Sequence, residues 1–222
     1  MPQLNNNYPD STQVNEDPLV VILDDFITDD ECRELIKAAD TELKRALVSD
    51  GRMGVLSKGR TGSNCWVKHQ HNKTIARLCE RISQLVGLPL VNAESLQVVH
   101  YATEQEYAAH FDAWDADTER GQRCMARGGQ RLLTCLMYLN TVSEGGGTGF
   151  PTLDVEVAAI KGRMVIFHNC HAGTNLRHPA SLHGGLPVTS GEKWACNLWF
   201  RESPYQAVSQ ASAKKTSFKR RF

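Results

Sequence analysis

The period of the apolar positions changes along the chain. Residues 19–23 form an unbroken apolar run, short enough for a buried strand. From residue 28 the period becomes helical, with Cys32, Leu35, Ile36, Ala39, Leu43 and Leu47 on one face. Thr28 and Glu31 have the spacing of a capping box, in which each side chain satisfies the other's backbone N–H. A second helix is predicted from Asn72, with Ile75, Leu78, Cys79, Ile82, Leu85 and Val86 inward and Gly87 and Pro89 ending it. Residues 49–64, rich in Gly, Ser and Arg, predict a mobile loop. Beyond residue 90 the pattern becomes that of strands: 95–101 alternate, 131–139 are continuously apolar, and 155–160, 162–167 and 193–200 follow between Gly and Pro turns. This order predicts an α+β chain, a β-sandwich or barrel with the N-terminal helices packed on the outside of one sheet. The polar stretch 113–130, with Gly121, Gly128 and Gly129, is long enough to be a lid.

The chain therefore divides into a flexible N-terminus (1–17), a helical support lobe with a loop (18–92), a β core (93–203) and a C-terminal tail (204–222). The tail holds Lys214, Lys215, Lys219, Arg220 and Arg221; it reads as a solvated segment, with binding to RNA or an acidic partner as the alternative. Over the whole 222-residue chain 25 basic and 25 acidic residues cancel, so no global field draws it to nucleic acid or an anionic membrane. No apolar run approaches a membrane span, and residues 1–18 lack the basic and apolar regions of a secretory signal. Seven scattered cysteines, with no Cys-x-x-Cys pair, predict reduced thiols and a cytoplasmic location.

His110-Phe111-Asp112 is a His-x-Asp, a pair that arises by chance too readily in a chain of this composition to carry weight alone. Its setting between predicted strands, with His183 far downstream and Lys193 ten residues later, changes the reading. Two histidines and a carboxylate on one face of an octahedral iron leave three open positions, the ligand set of Fe(II) oxygenases. Two of those positions suit 2-oxoglutarate and the third O₂. The far carboxylate of 2-oxoglutarate inside a barrel calls for a buried cation, a place Lys193 can fill. Among the other histidines, His69 and His71 read as exposed and His100 as packed in the core. His168 and His171 could imitate a metal site. Trp114, Trp194 and Trp199 read equally as core or rim aromatics.

Between residues 96 and 202 the chain resembles the catalytic domain of the prolyl 4-hydroxylase family. The matching pieces are His100-Tyr101, Tyr107-Ala-Ala-His110-Phe-Asp112, the run from Arg131 through Tyr138 to Asn140, Gly145-Gly-Gly-Thr148-Gly-Phe150-Pro151, the run from Lys161 through Phe167 to Asn169, Ser181-Leu-His183-Gly-Gly-Leu-Pro187, and Gly191-Glu-Lys193-Trp194. The segments from Phe26 to Leu35 and Arg60 to Ser63 extend it over most of 18–202. The resemblance implies a double-stranded β-helix, a jelly roll, with Fe(II) on His110, Asp112 and His183. It implies that Lys193 holds 2-oxoglutarate, with Tyr101, Tyr138 and Thr148 as further contacts, and that Tyr107, Arg131 and Trp199 meet the substrate. Lys193, where other branches carry Arg, points to the collagen-type branch, in which L-ascorbate is the usual reductant. Gly147 departs from the family, which often has an acidic residue there. The expected substrate is a proline-containing peptide or protein. The alternatives are a free amino acid or other small molecule on the same scaffold, and a binding module with a vestigial metal site.

Overall fold

A computed structural model describes residues 1–47 and 59–205. In chain order the elements are β1 (Thr12–Asn15), β2 (Val20–Leu23), α1 (Asp29–Asp40), β3 (Lys44–Arg45), β4 (Ser63–Val67), α2 (Lys73–Val86), β5 (Leu96–Tyr101), β6 (Tyr107–His110) and α3 (Glu119–Met125). They continue with β7 (Arg131–Tyr138), β8 (Glu144–Gly145), β9 (Thr148–Phe150), β10 (Val155–Val157), β11 (Met164–His168), β12 (His183–Gly185), β13 (Val188–Ser190) and β14 (Lys193–Arg201). A major sheet runs β1-β2-β11-β7-β14-β5-β4-β3 and faces a minor sheet, β10-β9-β12-β6, the two layers of a jelly roll.

Alternation along the major sheet explains its continuously apolar sequence. In β7, Leu133, Cys135 and Met137 join α1 and α2 in one core, while Leu136 and Tyr138 join the core between the sheets. In β14, Trp194, Cys196, Leu198 and Phe200 face the helices and Ala195 faces the minor sheet. Both faces are covered, so no polar phase survives in the sequence. The helices begin where their caps predict. Thr28 Oγ1 accepts from Glu31 N at 3.3 Å and Glu31 Oε2 accepts from Thr28 N at 2.9 Å. Asn72 caps α2 through Ile75 N, and Gly87 ends it in the left-handed region at φ 70°.

Several expectations change. Helix α1 stops at Asp40, about two turns short of carrying Leu47, because the chain leaves to pair β3 with β4; Leu47 is 45% exposed. Residues 1–17, expected to be loose, contribute β1 to the sheet edge and bury Tyr8, whose hydroxyl meets His168 Nε2 at 3.0 Å. The 113–130 stretch is not a free lid at its base. It holds α3, and buried Gln130 clamps it shut by accepting from Trp114 N and donating to Trp114 O at 2.9 and 2.8 Å. Most of the 49–64 loop and of the basic tail lies outside the described residues; Ser63 and Asn64 belong to β4.

Candidate metal and co-substrate site

Pairing within the minor sheet brings the distant ligands together. Strand β6 runs antiparallel to β12, and His110 and His183 are direct partners in that ladder. The approach is close enough that a Cβ on Gly184 would lie 2.9 Å from Tyr107 O, so glycine is required there. Asp112 follows two residues after His110 and returns its carboxylate to the same spot. One donor atom from each of the three residues falls within 4.8 Å of the others, and no other such cluster of three occurs among the described residues.

Each histidine is turned to present Nε2. His110 Nδ1 lies 3.0 Å from Ala108 O and His183 Nδ1 lies 2.9 Å from Ser181 O. A carbonyl can only accept, so each Nδ1 carries its hydrogen and each Nε2 keeps a lone pair for a metal. Burial and the neighbouring His183 keep His110 neutral well below its ordinary range. For Asp112, burial raises the carboxyl, but His183, His110, Arg131 and the Trp199 N–H together pull it below its ordinary value. Two imidazoles held through Nδ1 beside a buried carboxylate are a donor set that fits Fe(II), which His110, His183 and Asp112 would bind.

Asp112 is held by a network of its own. Its Oδ2 accepts from Thr134 Oγ1 at 2.7 Å and from Trp199 Nε1 at 2.8 Å, and Thr134 in turn accepts from Asn169 Nδ2 at 2.9 Å. Trp199, expected to meet substrate, is thus engaged with the metal carboxylate through its N–H. Its ring face is covered by the Arg131 guanidinium at 3.8 Å. Arg131, expected to hold a peptide carbonyl, spends Nε and one terminal nitrogen on Glu94 at 2.6 and 2.9 Å; its other terminal nitrogen faces Asp112 Oδ1 at 3.8 Å. Glu94 also binds Arg201 at 2.7 Å. Tyr107 stacks on His110 at 3.7 Å between centroids, under the Arg60 guanidinium at 4.6 Å.

The three ligands, Arg60, Tyr107, Arg131 and Trp199 line a cavity of about 830 Å³ that extends from Lys193 to Trp66. Lys193 is 3% exposed, and burial pulls its ammonium down to about 7. It donates to Gly147 O at 3.2 Å and makes no ion pair among the described residues, so it fits the far carboxylate of 2-oxoglutarate. Tyr101 and Thr148 line the same end, and burial pushes the Tyr101 hydroxyl up to about 12. Tyr138 stays behind them: its hydroxyl donates to Thr148 Oγ1 at 2.7 Å, and its ring lies 5.3 Å from Lys193 Nζ.

Other histidines take different places. His100 is not in the core: its ring lies tilted against Trp194 at 4.5 Å and meets Glu192 at 2.8 Å at the sheet's rim. His69 is half-buried against Glu94 O at 2.7 Å rather than exposed. Sequence reading passed over Thr134, Asn169, Glu94 and Trp66. The first three are ordinary residues within or beside strands. Trp66 carried a signal, a large aromatic that the strand alternation leaves off the core face.

A jelly roll with two histidines and a carboxylate converging at its open end defines a metal-dependent oxygenase. Residues 96–201 match the family model of the 2OG-Fe(II) oxygenase superfamily. Prolyl 4-hydroxylase 5 of Arabidopsis thaliana is 31% identical over 210 residues, covering 84% of this chain and 69% of that protein. A relative from Acanthamoeba polyphaga mimivirus is 35% identical over 184 residues, covering 83% of this chain and 74% of that one. The solved viral collagen prolyl hydroxylase of Paramecium bursaria Chlorella virus-1, in its 2OG complex, superposes with a TM-score of 0.65 at 29% identity, over 82% of this chain and 95% of that one. The chain belongs to the prolyl 4-hydroxylase family of 2OG-Fe(II) oxygenases, and is a 2-oxoglutarate-dependent dioxygenase.

Proposed function

We propose that this enzyme hydroxylates proline residues within a peptide or protein, converting 2-oxoglutarate and O₂ to succinate and CO₂ as one oxygen enters the proline. The observation that carries the reading is the cavity: it joins the buried Lys193, the metal ligands and the exposed Trp66 in one space, larger than a dicarboxylate needs. Fe(II), when bound with 2-oxoglutarate and O₂, supplies the oxidising chemistry. The chain's own part is placement. Lys193 anchors the co-substrate, with Tyr101 and Thr148 closing its end. Thr134 and Trp199 fix the Asp112 carboxylate beside His110 and His183, where it would help hold the metal. Tyr107 and Trp199 line the cavity beside the metal ligands, and the exposed Trp66 offers apolar ring surface to a proline there.

The test is mass spectrometry of proline-containing peptides incubated with the protein, Fe(II), 2-oxoglutarate and L-ascorbate as reductant. The expected result is a gain of one oxygen on proline, matched by succinate, with 4-hydroxyproline on amino-acid analysis. Turnover of free L-proline with no peptide product would overturn the reading in favour of a small-molecule hydroxylase. We further assign the protein to the cytoplasm. Its seven cysteines are free, six of them buried, which suits a reducing compartment. Cell fractionation that found it in a secretory organelle would refute this.

A further inference from the structure

We infer that the peptide taken by this enzyme is acidic on one side of its target proline. The inference rests on the peptide reading above and deepens it. Some charges at the cavity are already spoken for: Arg131 is paired with Glu94, Lys193 awaits the co-substrate, and Asp112 faces the histidines. Among the described residues the walls further carry Lys44, Arg45, Arg60, Lys68 and Arg120 against one carboxylate, Glu42; of these cations Arg60 donates to Leu47 O and Gln97 Oε1, and Arg120 has contacts of its own. The whole chain has no net charge, so this excess is a local segregation.

Three of these cations, Lys44, Arg45 and Lys68, are exposed and make no ion pair among the described residues. They lie on or just beyond the β3–β4 edge of the major sheet. Between them and the metal stands Trp66, 51% exposed, its ring 6.0 Å from that of Trp199, whose N–H holds Asp112. A proline beside Trp199 would send its flanking chain over Trp66 toward the cationic edge. Strand spacing and the reach of extended chain put the complementary charges ~3–5 residues from the proline. Exposed cations at a cavity mouth speed the encounter and sort partners by charge.

The test compares three peptides with one proline-containing centre, flanked on either side by three Asp/Glu, three Asn/Gln or three Lys. For the acidic peptide of the favoured direction, kcat/KM should exceed that of the neutral one about tenfold at ~0.05 M salt and approach it at ~0.5 M, as screening shortens the field. The joint variant Lys44→Glu, Arg45→Glu, Lys68→Glu should bring the acidic-to-neutral ratio to one or below, through KM rather than kcat. The salt series uses the unmodified protein and so stands even if the variant folds poorly. Equal hydroxylation of all three peptides would overturn this inference while leaving the proline reading intact. Loss of 2-oxoglutarate without oxygen gain on any peptide would overturn both. Displacement of the acidic peptide by single-stranded RNA at equal charge concentration would overturn it in favour of a nucleic-acid surface.

Discussion

Lys193 makes 2-oxoglutarate binding a proton-linked event. Its ammonium is 3% exposed with only the Gly147 carbonyl as hydrogen-bond partner among the described residues, and burial draws its pKa from 10.5 down to about 7. That displacement corresponds to roughly 5 kcal/mol of disfavour for the charge where it is buried without a carboxylate. A carboxylate arriving at Nζ favours the charged form and raises the pKa again. Below pH 7 the free lysine is already protonated and affinity sits at its plateau. Above pH 7 each binding event must first restore the proton, so affinity should weaken about tenfold between pH 6 and pH 8. Anaerobic calorimetry with Fe(II), in two buffers of different ionisation enthalpy, should show uptake of about half a proton at pH 7 and close to one at pH 8.5. Lys193→Arg keeps a charge that does not titrate in this range and should flatten the profile. Lys193→Met should lose affinity by orders of magnitude, yet stabilise the free protein in mild acid, where the charged lysine opposes folding. Affinity constant from pH 6 to 8.5, with no proton uptake, would refute the reasoning.

Thr134→Val removes one of the two donors to Asp112 Oδ2 and leaves Asn169 without its acceptor. Fe(II) affinity, measured by competition with a chromogenic chelator, should fall about tenfold. Glu94→Gln leaves Arg131 and Arg201 buried without their shared carboxylate, and urea unfolding should show a loss of about 3–5 kcal/mol. Burial raises the Glu94 carboxyl, but the two arginines hold it below its ordinary value, so its contribution is present at neutral pH and lost in acid. The difference between unmodified protein and variant should shrink as the pH falls through the carboxylate range. Phe200→Ala, at a fully buried position between sheet and helices, should cost about 3–5 kcal/mol in the same assay.

Much of the frame is local and was legible in the residues. Thr28 with Glu31, and Asn72 with Gly87, mark helix ends because caps act on backbone groups a few residues away. The continuous apolar run of β7 announced a strand, and His110-Phe-Asp112, set between predicted strands, offered two candidate donors. Contacts between distant residues were not legible from the hydrophobic pattern; His183 and Lys193 were reached through the chemistry of the ligand set and the family resemblance. A period of two says which face a side chain takes but not which strand lies beside it. That His110 neighbours His183 follows from β6 pairing with β12, a choice made by the closing of the whole jelly roll. The same holds where Trp199 gives its N–H to Asp112, and where Glu94 gathers Arg131 and Arg201. The end of α1 was misread for the same reason: Leu43 and Leu47 kept the helical period, but the open edge of β4 offered ladder partners and drew the chain into β3. Sequence alone determined the elements and the types of chemistry available. The tertiary structure decided which of those groups meet, because the packing of two sheets fixes distances between residues that the chain leaves far apart.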